Sequence, residues 1–401
     1  MNPHRLGWGM TANLPLAMFA ALVTAISVVI HNKEIIFPAI KEVFVFLIFW
    51  MHLTVTTIFS FYPQDAWAYW FIVFKIFLMT LLTMCIVNTP KRLFLLLVGI
   101  IFFLGFYGVK GAIFGVLTGG QYKVWGPPES YIEDNNDLGL AFVMVAPLCF
   151  FLKDIFTKKI YSRIMIITGI SIMISTILTY SRGALLGLTT MVVFGISRSK
   201  HKIKIIVATV LVVVLFLPLL PEKWFSRMDT LKTYEEDESA NMRLNSWITS
   251  FNLASDNLLG GGFQCFKKEQ YQKYSPTLRY GNAGQTAHSI YFQVLIEHGF
   301  IGLAIFIISI LLSIKNSLQL NKLEYYDTEQ YLWVSQMSRA LFVSTMAYLV
   351  SGAFLSRAYF DLYWAIFASS ICLKFMVTKG EFYYDPDDKM LNFFRLPAVR
   401  Y

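Results

Sequence analysis

The sequence predicts an all-α, polytopic transmembrane helical bundle of about eleven to twelve spans that carries one water-soluble helical insertion. Three observations predict it. Only 15% of the residues are charged while 56% are hydrophobic; a soluble globular domain is about a quarter charged. Apolar runs such as 164–178, 205–220 and 300–314 recur along the 401 residues, close to the about 20 residues that a spanning helix needs. These runs lack the alternation of a barrel strand, and lipid leaves no other way to pair the backbone than a helix.

Taken in order, eleven hydrophobic segments lie near 13–30, 40–60, 66–88, 93–118, 137–152, 164–180, 183–196, 205–220, 289–314, 340–355 and 361–377. The fourth and ninth are long. Gly105, Gly108 and Gly111 in one, and Gly299 and Gly302 in the other, would permit a kink.

Charge sets the orientation. Lys153, Lys158, Lys159 and Arg163 crowd one short loop, Arg198, Lys200, Lys202 and Lys204 another, and Lys91 and Arg92 mark a third. With alternating segments all three fall on one side, which the positive-inside rule makes cytoplasmic. The tail 378–401 falls there too. The loop 119–136, the break at Ser181-Arg182, the stretch 221–288 and the loop near Ser356-Arg357 then emerge outside, as does Met1. The net charge of +9 follows from these loops; no basic stripe interleaves with aromatics, so nucleic acid is not an expected partner.

The stretch 221–288 balances eight acidic against eight basic residues and is rich in aromatics, which predicts a folded insertion. Trp247, Phe251 and Leu253 follow a partly amphipathic helical pattern, ended by the turn Leu259-Gly260-Gly261-Gly262.

Chemistry concentrates at this outer side. Arg182 interrupts two apolar runs, a position that is costly for a cation unless it snorkels or meets an anion. Arg243 lies beside the acidic run Glu235-Glu236-Asp237-Glu238, where a surface ion pair is the plain alternative. Two guanidiniums on one side suit a shared phosphate, since the planar fork donates parallel hydrogen bonds and keeps its charge. His288 stands where the chain re-enters the apolar phase, and an imidazole can accept a hydroxyl proton at neutral pH. Glu297-His298, deeper in that segment, reads equally as a helix–helix contact or a proton relay. Weaker substrate-binding candidates are Lys75 and Lys110, beside apolar runs, and Asn135 and Asn136 in Glu133-Asp134-Asn135-Asn136-Asp137, which lacks the spacing of an EF-hand. Tyr234 and Tyr291 complete that set. Trp125, Tyr131, Trp224 and Tyr274 could stack on sugars or form an interfacial belt. The four cysteines show no disulfide or zinc spacing. No P-loop, dinucleotide fingerprint, zinc-protease motif or nucleophile elbow is present. No metal or cofactor is expected, and energy for synthesis outside the membrane must arrive with the substrate.

Several stretches together resemble the O-antigen ligase/polymerase superfamily: Ser181-Arg182-Gly183-Ala184, Arg243 with Trp247 and Gly260-Gly261-Gly262, and Ala287-His288-Ser289-Ile290-Tyr291 followed by Glu297-His298-Gly299-Phe300-Ile301-Gly302. Met1-Asn2-Pro3-His4-Arg5-Leu6, Gly105-Phe106-Tyr107-Gly108-Val109-Lys110-Gly111 and Val124-Trp125-Gly126-Pro127-Pro128 are similar to the exosortase-system-associated O-glycosylation ligases within it. So are Met228 with Thr233-Tyr234-Glu235-Glu236-Asp237, and Gly352-Ala353-Phe354-Leu355 with Tyr359-Phe360-Asp361. The resemblance implies a metal-independent C-type glycosyltransferase of the bacterial inner membrane. Its donor would be an undecaprenyl pyrophosphate-linked glycan and its acceptor a protein or lipid hydroxyl at the periplasmic face. It also implies that Arg182 and Arg243 hold the pyrophosphate and His288 activates the acceptor. On this division 1–152 is an N-terminal membrane region, 153–220 and 289–377 the ligase-type core, and 221–288 the periplasmic domain. Members of the subfamily carry a further apolar stretch before their Asn-Pro-His-Arg, whereas Met1 abuts it here, so a start that is truncated or mis-called is the expectation. A polysaccharide polymerase is the near alternative, and a lipid-linked glycan flippase the alternative of another class.

Overall fold

A computed structural model describes residues 16–30, 36–198, 202–203, 206–207, 210–211, 214, 220–229, 238–277, 285–322 and 329–379. The first seven helices are α1 Leu16–Ile30, α2 Lys41–Ile58, α3 Pro63–Ile86, α4 Pro90–Leu117, α5 Asn135–Leu152, α6 Lys159–Leu178 and α7 Arg182–Arg198. The insertion supplies α8 Glu222–Asp229, α9 Glu238–Asp256 and α10 Lys268–Tyr274. The bundle closes with α11 Ile290–Asn321, α12 Glu329–Gly352 and α13 Asp361–Lys379. No strand occurs among the described residues. Local signals set several starts. Pro63 and Pro90 open α3 and α4, where a missing N–H costs nothing. Thr89 and Asp134 cap α4 and α5, accepting from the Arg92 and Asn136 N–H groups.

Among the described residues, seven helices are long and apolar enough to cross a membrane: α2 to α6, α11 and α13. The apolar helices in α1 and α7 are shorter. Most of the expected span 205–220 lies outside the described residues, as do Met1, His4, Arg5 and the tail after Lys379. The segment expected at 340–355 belongs to α12, which begins eleven residues earlier, at Glu329. It packs against α5, α7, α11 and α13, and Ser335, Ser338, Ser344, Thr345 and Ser351 are buried along it. A helix surrounded by helices need not be apolar, because a hydroxyl can reach a neighbour's carbonyl: Ser344 Oγ donates to Met144 O (2.5 Å) and Ser338 Oγ to Ser317 O (2.5 Å).

The central helix is α5, buried along almost its whole length and flanked by α4, α6, α7 and α12. The glycines expected to kink the fourth segment do something else. A Cβ at Gly108 would lie 2.5 Å from Ile172, and one at Gly111 2.7 Å from Ser175. They let α4 and α6 touch backbone to side chain, and Ser175 Oγ donates to Gly108 O (2.6 Å).

The ninth segment does break. Gly299 in α11 has φ 66° and ψ −172°, a conformation essentially confined to glycine. The break releases the carbonyls of Ile296, Glu297 and His298, and each finds a donor. Gly261 N–H reaches Ile296 O (2.8 Å), Gly262 N–H reaches Glu297 O (2.8 Å), and His52 Nε2 of α2 donates to His298 O (2.9 Å). The triglycine turn after α9 therefore plugs into α11. Glu297 fastens the joint, accepting from Gln264 N–H (3.1 Å) and Tyr359 OH (2.9 Å). Of the two readings of Glu297, the structure carries the structural contact. Leu253, Cys265, Phe266, Tyr271, Tyr274, Ala287 and Ile296 form a separate small core beneath the insertion.

Candidate active site

Four segments converge at one end of the bundle: the start of α5, the turn between α6 and α7, the insertion helices α8 and α9, and the segment 353–360 between α12 and α13. They enclose a polar cleft with about 340 Å³ of empty space, part of it open to solvent. It is lined by Asn136, Ser181, Arg182, Gly183, Arg227, Arg243, Phe354 and Leu355.

Arg182 is the first residue of α7. Ser181 caps that helix, its Oγ accepting from the Ala184 N–H (3.2 Å). Ser181, Arg182 and Gly183 thus turn the positive end of α7, with its outward N–H groups, into one wall of the cleft. The turn is fixed from both sides. Tyr180, at φ 59°, donates its hydroxyl to Gly120 O (2.5 Å), and Asn135 Nδ2 donates to Thr179 O (2.8 Å). Trp224 of α8 donates Nε1 to Ile177 O (3.1 Å). Arg227, three residues on and so on the same helix face, reaches the cleft.

Arg243 and Trp247 are one turn apart on α9 and share a face. Trp247 Nε1 donates to Ala287 O (2.9 Å), and its ring stacks on Phe292 at 5.0 Å and 7°. That tie brings His288 beside Arg243. His288 does not line the cleft itself; its N–H donates to Ser356 Oγ (2.8 Å), next to the lining residue Leu355. The backbone of His288 is held at φ 45°, an uncommon conformation for a non-glycine residue. Burial pushes the imidazole below its ordinary value of 6.5, the Arg243 guanidinium pushes it further down, and Asp134 opposes them. A neutral imidazole near the Arg243 guanidinium can accept a proton beside an anion.

The other candidates separate. Asn136 lines the cleft and Asn135 supports it from beneath. Lys75 and Lys110 are exposed on α3 and α4, away from the lining. Tyr291 is half-buried and donates to Leu349 O (3.1 Å). Tyr234 lies outside the described residues. The acidic run before α5 is engaged internally: Asp134 caps the helix, Glu133 accepts from Glu129 N–H (2.8 Å), and Asp137 pairs with Arg357. Among the described residues no three His, Cys, Asp or Glu side chains group as a metal site would.

Arg227 and the Asp137–Arg357 pair were not singled out by sequence. For Arg227 the signal was its spacing from Trp224 on a short polar helix. The Asp137–Arg357 pair joins residues 220 positions apart and has no local signature.

Residues 164–307, which contain Arg182, Arg227, Arg243, His288 and the break at Gly299, match a family described as O-Antigen ligase. Residues 1–157, including Asn136 and Asp137, match a family of unknown function, DUF5935. No curated protein matches the chain.

Proposed function

We propose that this membrane protein, whose match to the O-antigen ligase family supports a ligase- or polymerase-type enzyme, is a glycosyltransferase of the bacterial inner membrane. It moves a glycan from undecaprenyl pyrophosphate to an acceptor hydroxyl at the periplasmic face. The observation that carries this reading is the lining of a single cleft by Arg182, Arg227 and Arg243 at the positive end of α7, with His288 alongside. Orientation is supported by charge: α5 runs from the cleft to the junction holding Lys153, Lys158, Lys159 and Arg163, the kind of loop retained in the cytoplasm.

In this reading the acceptor hydroxyl of a protein Ser/Thr, lipid or polysaccharide attacks the anomeric carbon in line. The carbon–oxygen bond to the diphosphate breaks as the new glycosidic bond forms, with inversion. The hydroxyl proton passes to His288. Undecaprenyl pyrophosphate leaves with the bonding electron pair, and its growing charge is met by Arg182 and Arg243. The groups that do this are side chains and a helix end; the reading is metal-independent.

Purified protein incubated with lipid-linked glycan and a hydroxyl acceptor tests the reading by mass spectrometry of the products. A single covalent adduct supports a ligase and a ladder of lengths the polymerase. Translocation with no covalent product would support the flippase and sink the enzyme.

The pH profile tests His288 separately. Its pKa in the free protein is lowered from 6.5, so the base is neutral near pH 7. kcat/KM is expected to be level around neutrality and to fall only once the pH drops below 6.5 through that depressed value. A bound diphosphate raises the imidazole pKa, so the limb in kcat should lie at higher pH. Profiles for wild type and His288→Ala that fall in parallel would remove His288 as the base.

A further inference from the structure

The segment 353–360 does more than close the bundle. Its Phe354 and Leu355 line the cleft, and its Ser356 Oγ accepts the His288 N–H (2.8 Å). The next residue, Arg357, sends Nε to Asp137 Oδ1 (2.6 Å) and a second N–H to Oδ2, forming a fork on one carboxylate. Asp137 is the neighbour of the lining residue Asn136, and its side chain is 7% exposed against 23% for Arg357. Tyr131 lies 4.4 Å from the guanidinium on the ring face, and Phe360 stacks on that tyrosine. The segment's backbone is pinned as well. Ala358 N–H donates to Gln293 Oε1 of α11 (3.1 Å), and Tyr348 OH donates to Arg357 O (3.0 Å). One short segment therefore holds both the cleft wall and the backbone of His288, and its charged anchor is the start of α5.

We propose that Asp137 and Arg357 are a positioning pair that sets His288 against the arginine cleft. The inference rests on the glycosyltransferase reading. A planar guanidinium bound through two donors fixes orientation as well as distance. The segment cannot shift toward or away from α5 without breaking both bonds. His288 occupies a backbone conformation that only its surroundings maintain, so its imidazole follows Ser356. Neither member of the pair touches substrate in this account.

The test compares Asp137→Asn, which keeps the shape and one acceptor, with Arg357→Lys, which keeps the charge and loses the fork. Both are measured as monodisperse protein with kcat and donor KM determined separately. Asp137→Asn is expected to lower kcat by about 10²-fold, the cost of a base displaced by about 1 Å, with donor KM little changed; Arg357→Lys should fall between it and wild type. Ser356→Ala, which removes only the acceptor for the His288 N–H, covers the case of an Asp137 variant that fails to fold, and should also lower kcat at constant KM. Two outcomes overturn the proposal: kcat per folded molecule unchanged in these variants, or a raised KM with kcat retained, which would place Arg357 on the substrate. Arg243→Ala is run alongside. If wild-type protein makes product and Arg243→Ala does not, a null result at Asp137 and Ser356 sinks the positioning pair alone; if wild-type protein makes none, it is the glycosyltransferase reading that fails.

Discussion

Arg243→Ala, and separately Arg182→Ala, is expected to slow glycan transfer by about 10²–10³-fold in protein that still folds. Charge moves onto the diphosphate only as the glycosidic bond breaks, so a donor aimed at those oxygens stabilises the transition state more than the bound substrate. The loss should therefore appear in kcat and not only as a raised KM. Folding should survive because α9 is held by other residues of its helix. Trp247 donates to Ala287 O, Ser246 Oγ lies 2.8 Å from Tyr271 OH, and Asn245 Oδ1 accepts from Ser275 Oγ (2.9 Å). Arg243→Lys keeps a cation but loses the fork, so its rate should lie between those of wild type and Arg243→Ala. Steady-state assays with lipid-linked glycan check all three variants. Near wild-type turnover in Arg243→Ala would show that the cleft arginines do not meet the leaving group.

The second large effect is structural. A Cβ at Gly299 would lie 1.9 Å from Leu258 O and 2.9 Å from Gly260 N. The residue also sits at φ 66° and ψ −172°, where a side chain costs about 1–3 kcal/mol before any clash. Relieving the clash moves the triglycine turn off the break, leaving the carbonyls of Ile296 and Glu297 without donors at about 1–3 kcal/mol each. Gly299→Ala is therefore expected to lower the melting temperature in detergent and to expose the insertion to protease between α9 and α10. Since α9 also carries Arg243 and ties to Ala287, activity should fall with it. Wild-type melting and protease resistance in Gly299→Ala would contradict the docking described.

The sequence announced the bundle because lipid demands long apolar helices, and those appear as runs. Balanced charge and the triglycine turn mark the stretch that supplies α8, α9 and α10. Ser181-Arg182 and His288 could be singled out because each sits at a polar–apolar boundary, where a charged or titratable side chain needs a reason. What lay beyond reach was pairing at long range. Nothing near Gly299 says that residues 260–262 fill its break, and nothing near His52 says that it donates to His298 O. The glycines of α4 looked like hinges because glycine spacing alone cannot distinguish a kink from a close helix contact. The buried hydroxyls of α12 hid the start of that helix, because its neighbours, and not lipid, surround it.

The proposed chemistry requires the arginine cleft to be a diphosphate site. Native mass spectrometry of the purified protein with undecaprenyl pyrophosphate, lacking any glycan, tests this without requiring the acceptor to be known. Wild-type protein is expected to bind it in preference to undecaprenyl monophosphate, and the Arg182→Ala/Arg243→Ala protein to lose that preference. Equal binding of the two lipids by wild-type protein, or a preference that survives in the double variant, would contradict the assignment.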